Sequence, residues 1–171
     1  MTGHGHHVKH LPEHGEEALF EGYAPGGVAL LVECLTENRN RTAADVRARL
    51  EKGGGHLAAQ GAVAWQFERV GVFEVGPGPA PDAVEAAAIE AGAEDVLDRG
   101  ARGFEIRTHP GDVHGVREAM SRALPVGPEH LAWVPKEAVP VDPERARAVQ
   151  HLVALLEDLD EVRAVHANAA L

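Results

Sequence analysis

The chain is poor in cysteine, in basic residues and in long apolar runs, and each scarcity excludes a class of protein. Cys34 is the single cysteine, so an internal disulfide and a zinc site with several cysteine ligands are excluded. Because Cys34 lies within an apolar stretch, we expect a packed thiol rather than a nucleophile. No apolar run approaches the roughly 20 residues of a membrane helix, and no apolar segment near the N-terminus indicates secretion. The sequence therefore predicts a cytoplasmic protein without a membrane partner.

The second scarcity concerns positive charge. The 16 Lys and Arg residues are outnumbered by 27 Asp and Glu residues, which gives a formal net charge of −11. Phosphate contacts need concentrated positive charge, so this balance is poor for a protein that binds nucleic acid with its whole surface. The acidic residues are spread along the chain, which is typical of a solvated surface. Any nucleic-acid contact must therefore depend on a local basic patch.

Motifs of known enzymes are also missing. The sequence contains no GxSxG, HExxH or dinucleotide fingerprint, and Gly76–Pro79 has prolines where a phosphate loop needs backbone donors. His109, His114 and His130 share a region with Asp112, but their spacing matches no zinc motif. We therefore expect binding rather than catalysis, and no cofactor.

Five of the eleven histidines lie within residues 1–15. This segment shows no hydrophobic periodicity, which predicts a flexible tail. One interpretation is a histidine-rich extension without a site. The other is transition-metal binding by the neutral imidazoles of His4, His6 and His7. We favour the first interpretation.

The most informative stretch runs from Glu21 to Leu57. A short apolar run, Val28 to Leu35, is bounded by turn signals and predicts a buried strand. After a polar loop, Thr42 is expected to cap a helix, with Asp45 in the capping-box position. Three glycines, 53–55, end that helix. The segment therefore predicts strand, charged loop and helix.

This segment contains the best candidates for a phosphate-contacting patch. The candidates are Arg39, Asn40, Arg41 and Lys52. Arginine and carboxamide side chains at a helix N-terminus suit anion binding. In the alternative interpretation, asparagines 38 and 40 satisfy the backbone of the turn while the arginines pair with Glu37 and Asp45.

The remaining segments predict an α+β fold. Alternation at Val63, Trp65 and Phe67 predicts a strand, and Val70–Val75 predicts another after a tight reversal. We expect both tryptophans, Trp65 and Trp133, to anchor cores rather than to stack on bases. With the helix that follows the first strand, the elements so far have the order β-α-β-β.

The rest of the chain predicts how the domains are divided. The Pro/Gly run at 76–81 indicates a linker, and an α-β-α-β segment follows it. Asp142 then caps a helix that leads to a strand over Val162–Asn168, which we expect in one sheet with Val28–Leu35. Adding this α-β pair gives β-α-β-β-α-β, the ferredoxin-like order. We therefore predict a discontinuous ferredoxin-like domain (16–76 plus 139–171), an inserted smaller α/β lobe (77–138) and a tail (1–15).

The stretch EGYAPGGVALLVECLTENRNRTAADVR resembles the YebC/PmpR family of bacterial regulators, which also includes the mitochondrial translational activator of cytochrome c oxidase subunit I. Further matches follow in order and extend the resemblance over residues 16–171: GAVA at 61–64, EAGAED at 90–95, LEDLD at 156–160 and VHAN at 165–168. The resemblance implies a regulator of gene expression, either a DNA-binding transcriptional regulator or a ribosome-associated translation factor. It also supports the discontinuous domain. With the resemblance included, phosphate contact by Arg39, Asn40, Arg41 and Lys52 is as well supported as the alternative, in which these side chains only stabilise the turn.

The sequence departs from the family near its start. Family members carry a basic helical domain before the EGYGPGG-like turn, whereas here the chain passes almost directly from His10 to Glu21. We therefore expect only weak, non-specific binding to duplex DNA. A small-ligand-sensing regulatory domain is the alternative function, by analogy with other ferredoxin-like domains. The choice among DNA, RNA and ribosome stays open, as does the oligomeric state.

Overall fold

The computed structural model describes residues 14–171, so His4, His6, His7 and nearly all of the predicted tail lie outside the described residues. The chain forms two compact units, one of residues 14–67 with 135–171 and one of residues 68–134. The strands are β1 (Glu16–Ala24), β2 (Val28–Thr36), β3 (His56–Ala58), β4 (Phe67–Val75), β5 (Asp95–Asp98), β6 (Phe104–Thr108), β7 (His130–Pro135), β8 (Val139–Pro140), β9 (Val162–Ala167) and β10 (Ala169–Ala170). The helices are α1 (Arg39–Lys52), α2 (Pro81–Ala91), α3 (Val113–Ser121) and α4 (Pro143–Glu157). The predicted α+β class is confirmed.

The first unit is built on a four-stranded sheet with the order β3-β1-β2-β9. Strands β1 and β2 form an antiparallel hairpin, closed by a turn at Pro25–Gly27. Gly26 and Gly27 have φ values of 83° and 79°, a conformation that glycine adopts without steric cost. Strand β9 pairs antiparallel with β2, so the expectation that these two segments share one sheet is confirmed.

Helices α1 and α4 supply the other half of the core of this unit. Buried side chains of the two helices pack with Phe20, Leu30 and Val32 of the sheet. The buried helix residues are Val46, Leu50, Val149, Leu152 and Leu156. Cys34 belongs to the same cluster and is 2% exposed, so the packed thiol is confirmed. Full burial of each leucine contributes about 1.5–3 kcal/mol.

The order of elements in the first unit differs from the prediction. The observed order is β1-β2-α1-β3 followed, after residues 68–134, by β8-α4-β9-β10, so the ferredoxin-like description of residues 16–76 plus 139–171 is not confirmed. Strand β1 was missed because its glutamates interrupt the apolar pattern. The predicted strand over Val63–Phe67 is wrong, since Ala64–Gln66 forms a 3-10 helix. The predicted reversal near Arg69 is also wrong, because β4 runs without a break from Phe67 to Val75.

The second unit contains the order β-α-β-β-α-β, formed by β4, α2, β5, β6, α3 and β7. Its sheet has the order β5-β6-β4-β7, and β6 is antiparallel to both of its neighbours. The ferredoxin-like order of elements therefore occurs in this unit. The core packs Phe73 and Ile106 of the sheet with Val84 of α2 and Met120 of α3.

The two units divide at 67/68 and 134/135, earlier than the predicted limits at 76/77 and 138/139. The reason is that β4 and β7 are strands of the second sheet. The Pro/Gly run at 76–81 therefore lies inside the second unit, as the connection between β4 and α2. Over residues 14–171, none of the helices has both the length and the apolar character needed to cross a membrane.

Candidate nucleic-acid interface

The turn between β2 and α1 is stabilised by hydrogen bonds to side chains within and next to the turn itself. The hydroxyl of Thr36 accepts a hydrogen bond from the backbone N–H of Asn38 at 2.9 Å and lies 2.7 Å from the buried hydroxyl of Thr42. The side-chain oxygen of Asn38 accepts from the backbone N–H of Arg41 at 3.1 Å. Asn38 is therefore the N-cap of α1. The predicted N-cap at Thr42 is wrong, because Asn38 already satisfies the first turn and Thr42 points into the interior.

This capping places Arg39, Asn40 and Arg41 at the first three positions of α1, where all three are exposed. Cations near a helix N-terminus oppose the helix dipole, and the first turn, residues 39–42, contains no acidic residue that would offset them. The two guanidinium groups and the positive end of the helix therefore add to one local positive potential. Such a surface can bind an anion such as phosphate.

The arginines contact neighbours that leave them accessible. The guanidinium carbon of Arg39 lies 5.2 Å from the centre of the Phe20 ring, in a cation–π contact. Nη2 of Arg41 lies 3.7 Å from a carboxylate oxygen of Glu161, and the Arg41 side chain is 61% exposed. An exposed ion pair of this kind contributes about 0–1 kcal/mol, so a phosphate can compete for Arg41.

The alternative interpretation of this loop holds in part. Asn38 does satisfy the backbone of the turn, as that interpretation expects. The ion pair of Arg41 is made with Glu161, which precedes β9, rather than with Glu37 or Asp45. Local sequence could not predict this partner, because Glu161 lies near Arg41 only after β2 and β9 pair.

Lys52 does not join the other three candidates. It is the last of the 14 residues of α1, and 13 rises of about 1.5 Å place it roughly 20 Å from Arg39 along the axis. Arg47 fits the patch better, since it is exposed and lies on the same side of α1 as Asn40, about two turns along. Arg47 is not among the residues predicted from the sequence, although its helical spacing from Asn40 was the available signal.

A second exposed feature of the first unit is Trp65. Its side chain is 67% exposed, so the expectation that it anchors a core is wrong. The buried carboxylate of Glu21 accepts hydrogen bonds from the backbone N–H groups of Gly61, Val63 and Ala64 and so shapes the loop that presents Trp65. Burial acts to raise the pKa of Glu21, but the three donors together outweigh it and hold this pKa below its ordinary value.

The histidines of the second unit form separate pairs. His109 lies 2.6 Å from a carboxylate oxygen of Glu94, and His114 lies 2.8 Å from one of Glu129. The hydrogen bond to Glu129 raises the pKa of His114. His130 is exposed on β7. Among residues 14–171, no group of three or more His, Cys, Asp and Glu side chains is arranged to hold a metal ion.

Comparison with known proteins supplies the family context. Residues 15–169 match the family model described as the second and third domain of TACO1/YebC. A probable transcriptional regulatory protein of Myxococcus xanthus is 46% identical over 157 residues, which are 91% of this chain and 63% of that protein. One of the same description from Acidothermus cellulolyticus is 47% identical over 155 residues, which are 90% of this chain and 62% of that protein.

A solved structure is similar over the same region. The crystal structure of a conserved hypothetical protein from Aquifex aeolicus superposes with a TM-score of 0.83 at 40% identity. The match covers 92% of this chain and 66% of that one. The chain thus spans a little under two thirds of the length of the curated relatives it matches.

Proposed function

The chain belongs to the TACO1/YebC family, and from that premise we propose that it regulates gene expression by binding nucleic acid or the ribosome rather than by catalysis. The names of its relatives, probable transcriptional regulatory proteins, support this class of function. The observation that carries the proposal is the exposed pair Arg39 and Arg41 at the N-terminus of α1.

The chemistry of this pair is that of phosphate binding. Two guanidinium groups and the positive end of α1 attract one or two adjacent phosphates without reading base sequence. Because the chain as a whole carries −11, attraction of phosphate depends on local basic groups such as this pair. We therefore expect non-specific affinity for duplex DNA, with a Kd of about 10⁻⁴–10⁻⁶ M at physiological salt.

The test is the double substitution Arg39→Ala/Arg41→Ala. A matched control, Arg102→Ala/Arg122→Ala, removes the same two charges from exposed positions of the second unit. Anisotropy titrations with labelled duplex DNA at two salt concentrations measure the salt slope, and each lost phosphate contact lowers it by about one. We expect the slope to fall by about two in the first variant and to be unchanged in the control.

Two further measurements complete this test. Cosedimentation of the same variants with ribosomes compares the ribosome with DNA as the target. Circular dichroism checks the fold, which we expect to be unaffected because the substituted side chains lie outside the apolar core. Equal loss of binding in the two variants would show that net charge, rather than the patch, governs association.

A small-ligand sensor is the second candidate, and one observation in the second unit favours it. A cavity of about 260 Å³ lies between the end of α2 and the start of α3. Its lining is mostly glycine and alanine, and among the described residues Asp112 is the one charged residue in it. A thermal-shift screen of small metabolites tests this candidate, because a ligand that binds the native state raises the apparent melting temperature. A ligand whose shift disappears in Asp112→Asn would support the sensor.

A further inference from the structure

Trp65 stands at the edge of a groove that the phosphate patch of α1 does not include. The groove has a volume of about 410 Å³ and lies entirely within the first unit. Its principal lining residues are Trp65, Gln66, Lys136, Val139, Pro140 and Asn168. Tryptophan is usually well buried, so an indole that is 67% exposed beside a groove offers an unusually large apolar surface to a ligand.

The indole is held in a defined position. Its Nε1–H donates to the carbonyl of Ala62 at 3.0 Å, and Glu21 fixes the backbone of the same loop through three N–H groups. The next side chain, Gln66, accepts from Nδ2 of the buried Asn168 at 2.8 Å. Because the ring is already ordered, the side chain of Trp65 loses little further conformational entropy when a ligand stacks on it.

One cation, Lys136, lines the groove itself, and a neighbouring depression leads to another, Arg145. A smaller depression of about 200 Å³ shares Val139, Pro140 and Asn168 with it and reaches Gly26 and Arg145. The guanidinium of Arg145 packs so closely on Gly26 that a Cβ at this glycine would overlap Nε of the arginine. Lys136 and Arg145 therefore flank an apolar floor.

Two acidic residues line these depressions, and one of them is engaged. The carboxylate of Asp142 caps α4 by accepting from the backbone N–H of Arg145 at 2.8 Å. Glu137 is an exposed residue of the lining. A ligand with a flat apolar face and negative charge on either side of it would meet the indole and the two cations, Lys136 and Arg145.

We propose that this groove binds a single-stranded nucleic-acid segment, with one base stacked on the indole of Trp65 and the flanking phosphates near Lys136 and Arg145. This inference rests on the proposed function, the binding of nucleic acid, and specifies a single strand as the ligand. Bases of a duplex are stacked on each other, so only a single strand can offer a base face to the indole. Because Gln66 and Asn168 hydrogen-bond to each other, we expect little sequence preference.

A peptide is the competing occupant, and the charges disfavour a basic one. Two cations at the ends of the floor would repel a lysine- or arginine-rich segment, whereas phosphates are attracted to both. An acidic or neutral peptide is therefore an outcome that the experiment has to separate from a single strand.

The experiment uses intrinsic fluorescence of the full chain carrying Trp133→Phe, in which Trp65 is the only tryptophan. The probes are a 12-nucleotide oligouridylate, the matching oligothymidylate, a duplex of the same length, and one acidic and one neutral peptide. We expect saturable quenching of Trp65 by both single strands and none by the duplex. Trp65→Ala should weaken single-strand affinity by roughly 5- to 100-fold in anisotropy, and Trp65→Phe should retain part of it because phenylalanine still stacks.

Charge is tested with a matched pair. Lys136→Gln/Arg145→Gln should lower the salt slope for the single strand by about 1.4, since two phosphate contacts are lost and each contributes about 0.7 on a single strand. Arg102→Gln/Arg122→Gln removes the same charge from exposed positions of the second unit and should leave that slope unchanged. Circular dichroism confirms folding of every variant.

Each contrary outcome has a distinct meaning. Single-strand binding that is insensitive to Trp65→Ala and leaves the fluorescence unchanged would overturn the groove, while the proposed function would stand through another surface. Quenching by an acidic or neutral peptide but by neither oligonucleotide would also overturn it, in favour of a protein partner. If neither single strand nor duplex binds and ribosomes do not cosediment, the proposed function fails together with this inference.

Discussion

Replacing Glu21 by glutamine tests how the loop that carries Trp65 is held. One carboxylate oxygen of Glu21 accepts from Val63 and Ala64 at 2.9 and 2.7 Å, and the other accepts from Gly61 at 2.5 Å. The carboxamide of the Glu21→Gln variant keeps one acceptor oxygen but places an NH₂ group against the third donor. The third donor, the N–H of Gly61, is only part-buried, so leaving it unpaired costs toward the lower end of the about 1–3 kcal/mol of a buried donor, and loss of charge weakens the two remaining bonds. We expect the free energy of unfolding to fall by about 2–4 kcal/mol.

The control for this substitution lies on the same strand. Glu17→Gln makes the same chemical change at a side chain that is 82% exposed and forms an ion pair with Arg163 at 3.3 Å. A change within about 0.5 kcal/mol is expected there, as for other surface substitutions. Urea denaturation of both variants in the Trp133→Phe background, followed by far-ultraviolet circular dichroism and by the fluorescence of Trp65, measures the difference.

The pH dependence gives a second readout. The pKa of Glu21 is lower in the folded chain than in the unfolded chain, so the stability it contributes is present above the unfolded pKa and is lost as the pH falls through the folded pKa. The gap between wild type and Glu21→Gln should therefore be full at pH 7 and narrow below about pH 4. An equal effect of the two glutamine substitutions, or a gap that does not change with pH, would refute the role given to this carboxylate.

Three other substitutions test packing and buried polar contacts, each by thermal or urea denaturation. Asn168→Ala leaves the backbone N–H of Ala29 without its side-chain acceptor and should destabilise the chain by about 1–3 kcal/mol; an effect below about 0.5 kcal/mol would contradict this account. Gly71→Ala should cost about 1–3 kcal/mol, because a Cβ there would overlap Cβ of Val113; a neutral result would mean that α3 shifts freely. Gly115→Ala, in open space on the same helix, should instead stabilise it by roughly 0.5–1 kcal/mol, and a loss of stability would show that the site is not open.

The sequence determined those elements whose signals are local. The apolar run that begins at Val28 forms β2, and Asp142 caps α4 as its position before Pro143 predicts. Arg39 and Arg41 share the first turn of α1 because they are two residues apart in the chain. The family resemblance was equally readable, since it depends on ordered motifs rather than on which elements pair.

Only the tertiary structure decided which elements share a sheet and which side chains remain exposed. Periodicity reports that a strand has one buried face, but it does not identify the strand's neighbours, so β4 was assigned to the wrong sheet and the ferredoxin-like order to the wrong unit. Trp65 alternates with Val63 and Phe67 as a strand residue would, yet the carboxylate of Glu21, some forty positions earlier, bends that backbone into a loop and leaves the indole exposed. The contact between Glu21 and the backbone of residues 61–64 forms only after β1 is in place, so no local sequence pattern predicts it.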